Sequence, residues 1–505
     1  MKKHILSLLA FAAFLPPFAS AESTRPNVLV FLVDDMGIMD TSVPFLTNKN
    51  GKPKSYPLNK FFRTPNMERL AAQGTRLNQF YAMSVCSPTR VSIMTGQTSA
   101  RHHTTQFIKP ESNNAGDHGA QEWQWVGITE ESVTLPAVLG EAGYQTIHAG
   151  KAHFGPVGSF GEDPSNWGFD VNIAGCAFGA PGSYYGTEDF GHSLEKRRNR
   201  AVPGLEKYHG QDIHLTEALT LELNDALTKA VQNDKPFFAY MSHYAVHSPF
   251  QVDARFEKNY ADQDLQKNLL AFATMIEGMD KSLGDILDHL DSLGVAENTL
   301  VFFLGDNGTD APIGGVHEVA CAEPLRGKKG THYEGGMRVP FIAAWAKPAA
   351  DNPLQQNIPV AEDALSPQVA TVCDLFPTIL AATNTDSPTI QIDGTDLLPV
   401  LADPSNPPAD REFLMHFPHS HRSSYFTAFR QGDWKLIHHY RPQPKDPWDK
   451  NELFNLADDP FEENNLADSH PEKLRALTDA MIKSLNNAGA QFPLADDKET
   501  LLKPE

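Results

Sequence analysis

Asp34 and Asp35 follow the apolar run Val28 to Val33, and Asp306 and Asn307 follow a second apolar run, Thr299 to Leu304. Three carboxylates and an amide oxygen make a hard oxygen donor set that suits Ca2+ or, less well, Mg2+, and it lacks the His and Cys that select zinc. One aspartate after a strand is ordinarily a loop residue or a helix cap. Two such pairs in matching contexts predict a shared cation, because carboxylates crowd at one site only when something neutralises them. A third cluster is Cys86, Ser87, Pro88, Thr89 and Arg90. Ser87 suits an N-cap and Pro88 a first helical turn, which predicts Cys86 at the positive end of a helix, where a thiol pKa falls and an anion is drawn in. A buried structural cysteine is the plain alternative. Basic and imidazole groups complete the inventory: Lys151 and His153, His243 and His247, Lys328 and Lys329. A histidine near a strand end is commonly a hydrogen-bonded structural residue, the reading that suits His243. Lys328 and Lys329 are adjacent, so in an extended loop only one of them points into a site.

These residues need elements to hold them. The two apolar runs read as strands buried on both faces. Further strands are predicted over Tyr144 to His148, Pro236 to Ser242 and Val339 to Ala346, separated by helical patterns over Thr134 to Ala142, Thr216 to Gln232 and Leu265 to Leu293. The alternation predicts an α/β fold with a large, mostly parallel sheet covered by helices, in which ligands bind beyond the carboxyl ends of the strands. Asp403 to Asp410 is a Pro-rich break. Short strands over Phe413 to Phe417, Tyr425 to Arg430 and Trp434 to His439, a hairpin turn at Gln431 to Asp433 and a closing helix over Pro471 to Asn486 predict a small antiparallel subdomain. The expected division is a leader over 1–21, a catalytic domain over 22–402 and the subdomain over 403–505. Lys49 to Tyr56 and Gly179 to Tyr208 read as long surface insertions.

Composition sets the outer limits. The 505 residues are 41% hydrophobic and 21% charged, an ordinary globular balance that excludes disorder and collagen-like repeats. A formal charge of −21 excludes a general nucleic-acid binder. Lys2 and Lys3, the apolar stretch Ile5 to Phe18 and the small residues Ala19, Ser20 and Ala21 read as a cleaved signal peptide, which implies a periplasmic or secreted protein with no stable membrane insertion after cleavage. The four cysteines, Cys86, Cys176, Cys321 and Cys373, are too few and too irregular for a disulfide framework.

The string CSPTR, with Thr95 and Gly96 after it, resembles the CxPxR signature of the type I sulfatases of the alkaline phosphatase superfamily. Gly150 to His153 looks like that family's GKxH element, Gly305 to Gly308 like its GDNG element and Gly330 to Gly336 like its GTxYEGG segment. Leu453 to Leu466 is similar to its C-terminal LFNLxxDPxExxNL signature, so the resemblance spans roughly residues 26 to 486 in order. Thr89 stands where many members have Ser.

The resemblance implies that a maturase converts Cys86 to formylglycine, whose hydrate is the nucleophile, held by Ca2+ and Arg90. It implies metal ligation by Asp34, Asp35, residue 86, Asp306 and Asn307, and sulfate binding by Lys151, Lys329 and His247. His247 would be the general acid, and His153 the base that expels sulfate and regenerates the aldehyde. Glu334 is expected to position a loop. His419, His421 and Arg422, with His102 and His103 behind them, are candidates for sugar hydroxyls or a second sulfate; an exposed loop is the plain alternative. The implied reaction is hydrolysis of a sulfate ester, on a sulfated poly- or oligosaccharide by analogy. Two alternatives stand beside it: a phosphonate or phosphate ester hydrolase of the same superfamily, and a catalytically silent sulfoglycan-binding protein if Cys86 stays unconverted.

Overall fold

The computed structural model describes residues 25–406 and 411–505; the expected signal peptide and the end of the Pro-rich break lie outside them. Eight strands form the main sheet: β1 (Asn27–Val33), β2 (Gly74–Tyr81), β3 (Gln145–Gly150), β4 (Val171–Ile173), β5 (Phe237–Ser242), β6 (Thr299–Gly305), β7 (Phe341–Trp345) and β8 (Ala364–Thr371). Their order is β4-β3-β5-β1-β6-β7-β2-β8. Seven run parallel, and β7 alone is reversed between β6 and β2. The mostly parallel α/β sheet is therefore present, with one reversed strand.

β1 shows why the pattern is legible. All seven of its residues are buried, with Leu29, Phe31 and Val33 facing one apolar core and Val28, Val30 and Leu32 the other. The first core is closed by helices Leu215–Gln232 and Lys267–Ser292, the second by Cys86–Thr95, Leu135–Glu141 and Leu375–Ala382. Each large apolar side chain so buried contributes about 1.5–3 kcal/mol. Register then brings the chemistry to one edge. Val33 lies beside Gly305 and Gly150 beside Ser242, so the segments that follow β1, β3, β5 and β6 leave the sheet at the same level.

A second sheet of four antiparallel strands, β9 (Glu412–Ser420), β10 (Ser424–Gln431), β11 (Trp434–His439) and β12 (Asn451–Asn455), has the order β12-β11-β10-β9. The hairpin turn is present, with Gly432 at φ 57 between the paired Gln431 and Trp434. Met415, Phe417, Phe426 and Ile437 join the second core of the main sheet, while Leu414, Phe429 and Leu436 meet Leu477, Met481 and Leu485 of the helix Pro471–Ala488.

One expectation fails. The tract from Gly179 to Tyr208 is not a plain surface insertion: Phe190 in a short 3-10 turn, and Tyr184, Val202 and Leu205 between such turns, are buried in the first core. Their apolar area outweighs the Gly and charge that made the tract look solvated. All four cysteines are buried free thiols. Among the described residues no helix is long and apolar enough to cross a membrane.

Candidate active site

The chain turns abruptly after β1, with Asp35 at φ 59. Asp34 N–H donates to the Ala245 carbonyl at 2.9 Å and Val246 N–H donates to the Asp34 carbonyl at 2.7 Å, so the loops after β1 and β5 are tied together. Asp35 N–H donates to Asp306 Oδ1 at 2.9 Å. The carboxylates are matched by three cations. Lys151 Nζ reaches Asp34 Oδ2 at 2.6 Å, Lys329 Nζ reaches Asp35 Oδ1 at 2.5 Å, and Arg90 donates to Asp306 Oδ2 through Nε at 3.0 Å and a terminal nitrogen at 2.8 Å. Arg90 turns its other terminal nitrogen to Ser242 Oγ and the Lys151 carbonyl.

Asp34, Asp35 and Asp306 are fully buried, and each offers an oxygen within 4.8 Å of the others. Burial, then Asp306, pushes the Asp34 carboxyl well up; at Asp35 burial acts the same way, but Lys329 and His247 overcome it and hold that group far below the usual range. Asp34 Oδ1, Asp35 Oδ2 and Asn307 Oδ1 are buried with no hydrogen-bond partner. Buried polar atoms are normally satisfied. Three orphaned oxygens of this type, converging from the ends of β1 and β6, fit a hard divalent cation.

Helix Cys86–Thr95 starts at Cys86 itself, with Val85 as its N-cap residue and Gly96 at φ 68 ending it. Ser87 is therefore not the cap. Its hydroxyl donates to the His153 carbonyl at 3.2 Å and accepts Ile108 N–H at 3.1 Å. The Cys86 thiol is pushed up rather than down, because burial outweighs the pull of Lys151 and Lys329, and Asp34 and Asp306 add to it. Thr89 uses its hydroxyl to accept Met83 N–H at 2.9 Å, a bond that serine would make equally.

His153 sits at φ 61 with Nε2 2.6 Å from the Ile108 carbonyl, so that nitrogen carries the proton. Its Nδ1 lone pair then faces Cys86 Sγ at 3.4 Å and Ser87 Oγ at 3.3 Å. Burial, then Lys151, holds the imidazole neutral far below its ordinary pKa. His247 places Nδ1 2.8 Å from the Ser248 carbonyl and Nε2 3.7 Å from Asp35 Oδ2; burial, then Lys329, lowers it to about 4. The Tyr184 hydroxyl steadies this loop by donating to the Tyr244 and His247 carbonyls.

Cys86, His153, His247 and Lys329 line one cavity of about 290 Å³. Lys151 lies beneath it on Asp34. Lys328 turns away, donating to the Ala311 carbonyl at 2.9 Å. His243 faces the far side, with Nε2 3.0 Å from Ser282 Oγ. His421, edge-on to Phe107, and Arg422, clamped on both Asp310 oxygens, also line the cavity. His419 does not, which corrects its reading as a substrate contact: it is fully buried, with Nε2 2.6 Å from Thr105 Oγ1, Nδ1 3.3 Å from the Ala115 carbonyl and its ring against Trp123. His102 and His103 lie outside this cavity, on Ser92 and the Gly489 carbonyl. Sequence reasoning missed Phe107, Ile108, Lys109 and Arg200, which line the cavity from irregular segments that carry no periodic signal.

Glu334 stands apart from the metal-binding oxygens in a buried network. It accepts from the Tyr81 hydroxyl and from Lys435 of β11, and Lys435 also donates to Glu462 at 2.6 Å. Burial raises Glu334, but Lys435 and Arg338 bring it to about 2, whereas Glu462 is raised by burial to about 7.

The sulfatase family model matches residues 26–385, and a model described as N-sulphoglucosamine sulphohydrolase, C-terminal, matches 328–491. The chain is 30% identical over 414 residues to N-acetylgalactosamine-6-sulfatase of Mus musculus, covering 78% of this chain and 69% of that protein. It is 27% identical over 532 residues to a sulfatase of Formosa agariphila, covering 93% and 91%. The fold matches the crystal structure of Ps i-CgsB in complex with k-i-k-neocarrahexaose with a TM-score of 0.70 at 23% identity, covering 92% of this chain and 93% of that one. The matched models, and relatives aligned over most of their length, make this chain a member of the sulfatase family of the alkaline phosphatase superfamily and a sulfatase by activity.

Proposed function

We propose that the protein releases sulfate from ester positions of a sulfated carbohydrate, with residue 86 acting as formylglycine after conversion by a maturase. The observation that carries this reading is the placement of Cys86 Sγ 3.4 Å from the unprotonated Nδ1 of a neutral His153, in one cavity with His247 and Lys329 and beside the orphaned oxygens of Asp34, Asp35 and Asn307. Asp34, Asp35, Asp306 and Asn307 would hold Ca2+, which supplies charge that polarises the sulfuryl oxygens and lowers the pKa of a bound hydroxyl. With Asp34 ionised the three carboxylates balance Arg90, Lys151 and Lys329, and bound Ca2+ would both favour that ionised form and leave the site electropositive enough for an anionic ester.

The chain's own groups divide the remaining work. Arg90, saturated by Asp306, Ser242 and the Lys151 carbonyl, orients the carboxylate and adds fixed positive charge. Lys329 meets the sulfuryl oxygens from the cavity wall, and Lys151 supports the field from beneath. His153 Nδ1 takes a proton from the oxygen on residue 86. His247 gives one to the departing oxygen; an anionic ester beside it raises its pKa from about 4 towards the range in which it carries that proton. The basic start and short apolar stretch of residues 2–18 support export to the periplasm or beyond.

The carbohydrate assignment draws support from the relatives, among them the N-acetylgalactosamine-6-sulfatase and the structure in complex with k-i-k-neocarrahexaose. Release of inorganic sulfate from a panel of sulfated mono-, oligo- and polysaccharides, by protein whose Cys86 peptide has been identified by mass spectrometry, tests it. Converted protein is expected to release sulfate and Cys86→Ala none. Converted protein that binds but never cleaves would refute the reading.

A further inference from the structure

The tract that lines the Cys86 cavity through Gly179, Ala180 and Arg200 carries Lys196, Arg197, Arg198 and Arg200 in one short turn, Glu195–Arg200, with no buried residue. In a chain of net charge −21 this run opposes the average. Among the described residues, none of these four side chains forms an ion pair, and neither does Lys109 across the cavity. The turn is nonetheless held in place: Gly182 N–H donates to the Arg200 carbonyl at 2.6 Å, and Arg197 reaches the Gly182 carbonyl at 3.4 Å. Beneath it is a groove of about 410 Å³ walled by Pro181, Lys196, Arg197 and Pro249, with no carboxylate in its lining. Ala180, Arg200 and Ser248 line both this groove and the Cys86 cavity, so the two abut.

Like charges gathered on one fixed turn repel one another and focus a positive potential on the groove between them. A solvated basic face would need neither the groove nor its junction with the reaction cavity. Arg422 in the same cavity is clamped on both Asp310 oxygens, whereas these four cations have no carboxylate partner among the described residues.

We infer that the groove is a second anion subsite, and that the enzyme acts on polyanionic glycans: the ester under attack lies at residue 86 while a neighbouring anion of the same glycan lies against Lys196, Arg197 and Arg200. This rests on the sulfatase reading above. The second anion is a sulfate or a uronate carboxylate, which present the same charge to the groove.

The test measures kcat and KM on an aryl sulfate, an oligosaccharide with one sulfate, and the same oligosaccharide carrying either a second sulfate or a uronate on the adjacent sugar. The K196A/R197A double variant is expected to lose about tenfold in kcat/KM, through KM, on one or both dianionic substrates and less than about twofold on the other two, the size expected for two partly exposed charge contacts. Wild-type preference for the dianion should shrink as salt rises. Arg198→Ala, exposed and outside the groove lining, should change nothing. An equal loss on all substrates, no loss on either dianion, or an equal effect of Arg198→Ala would overturn the subsite. Wild-type protein inactive on every ester would instead overturn the sulfatase reading, so the two failures are distinct.

Discussion

Replacing Asp306 by Asn removes one charge and changes almost no volume, so its consequences can be worked out from the hydrogen bonds around it. Asp306 accepts three N–H groups, two from Arg90 and one from Asp35. An amide has one oxygen, so its NH2 must face a donor. Arg90 is fully buried, and its next carboxylate, Asp34, is 3.8 Å away. Breaking a buried pair costs about 3–5 kcal/mol. The substitution also relieves the repulsion that raises Asp34, which acts in the opposite direction. The Arg90 pair, hydrogen-bonded at 2.8 Å, is the tighter interaction, so a net destabilisation of about 3 kcal/mol is expected, roughly a hundredfold in the unfolding equilibrium. Urea unfolding in a chelator measures this without metal. Adding Ca2+ then stabilises wild type by mass action, about 2.7 kcal/mol at a hundredfold excess over the dissociation constant, and the variant should need far more Ca2+ for the same gain. A variant within about 1 kcal/mol of wild type in chelator would refute the account of Arg90. Equal Ca2+ responses would remove Asp306 from the ligand set.

Two further outcomes follow from groups remote from the carboxylates. His102, His148, His214, His243, His416 and His419 are held at about 3 or 4 by burial. The unfolded chain binds protons on them near 6.5 and the folded chain does not, so the stability they contribute is complete above that value and is lost as pH falls from there towards 3 to 4. Between pH 7.5 and 5.5 each costs on the order of 1 kcal/mol, and melting followed across that window in chelator should show a steep fall in Tm; a flat profile would contradict the burial of neutral imidazoles. Lys435→Met leaves Glu462 in the interior with no ion pair among the described residues and Glu334 with Arg338 alone, and should destabilise by about 3 kcal/mol, with Glu462→Gln in the same chain recovering part of it. Urea midpoints that do not move would show that the network contributes nothing.

The legible parts of the molecule are those whose signal is local. β1 and β6 read as strands because both faces are apolar, and the aspartates after them are placed by where such strands must end. β2 (GTRLNQFY) and β8 (ALSPQVAT) do not, because Arg76, Asn78, Gln79 and Gln368 interrupt the pattern while the strands pair through the backbone. β12 hides inside a family signature, and β7 looks like any other strand because an apolar run carries no direction. At the site the limits are finer. His419 and His421 are equivalent in composition, and only the course of β9, which buries one and releases the other after Ser420, separates them. The one-residue shift of the helix start to Cys86, and the thiol's rise instead of its fall, depend on how deeply the surrounding loops bury that end. The groove under Lys196 and Arg197 needs a tract whose apolar anchors are scattered among glycines and charges.

The buried pairing of Lys435 with Glu334 and Glu462 bears on the order in which the protein can assemble. Glu334 has Arg338 of its own segment 3.3 Å away, whereas Glu462 has Lys435 as its one ion-pair partner among the described residues, so the two carboxylates come together in the interior only with β11 in place. A chain that ends before residue 435 therefore lacks the charge that lets the two carboxylates be buried side by side. A chain truncated before β11 is expected to lack a finished cleft rather than to be a smaller enzyme.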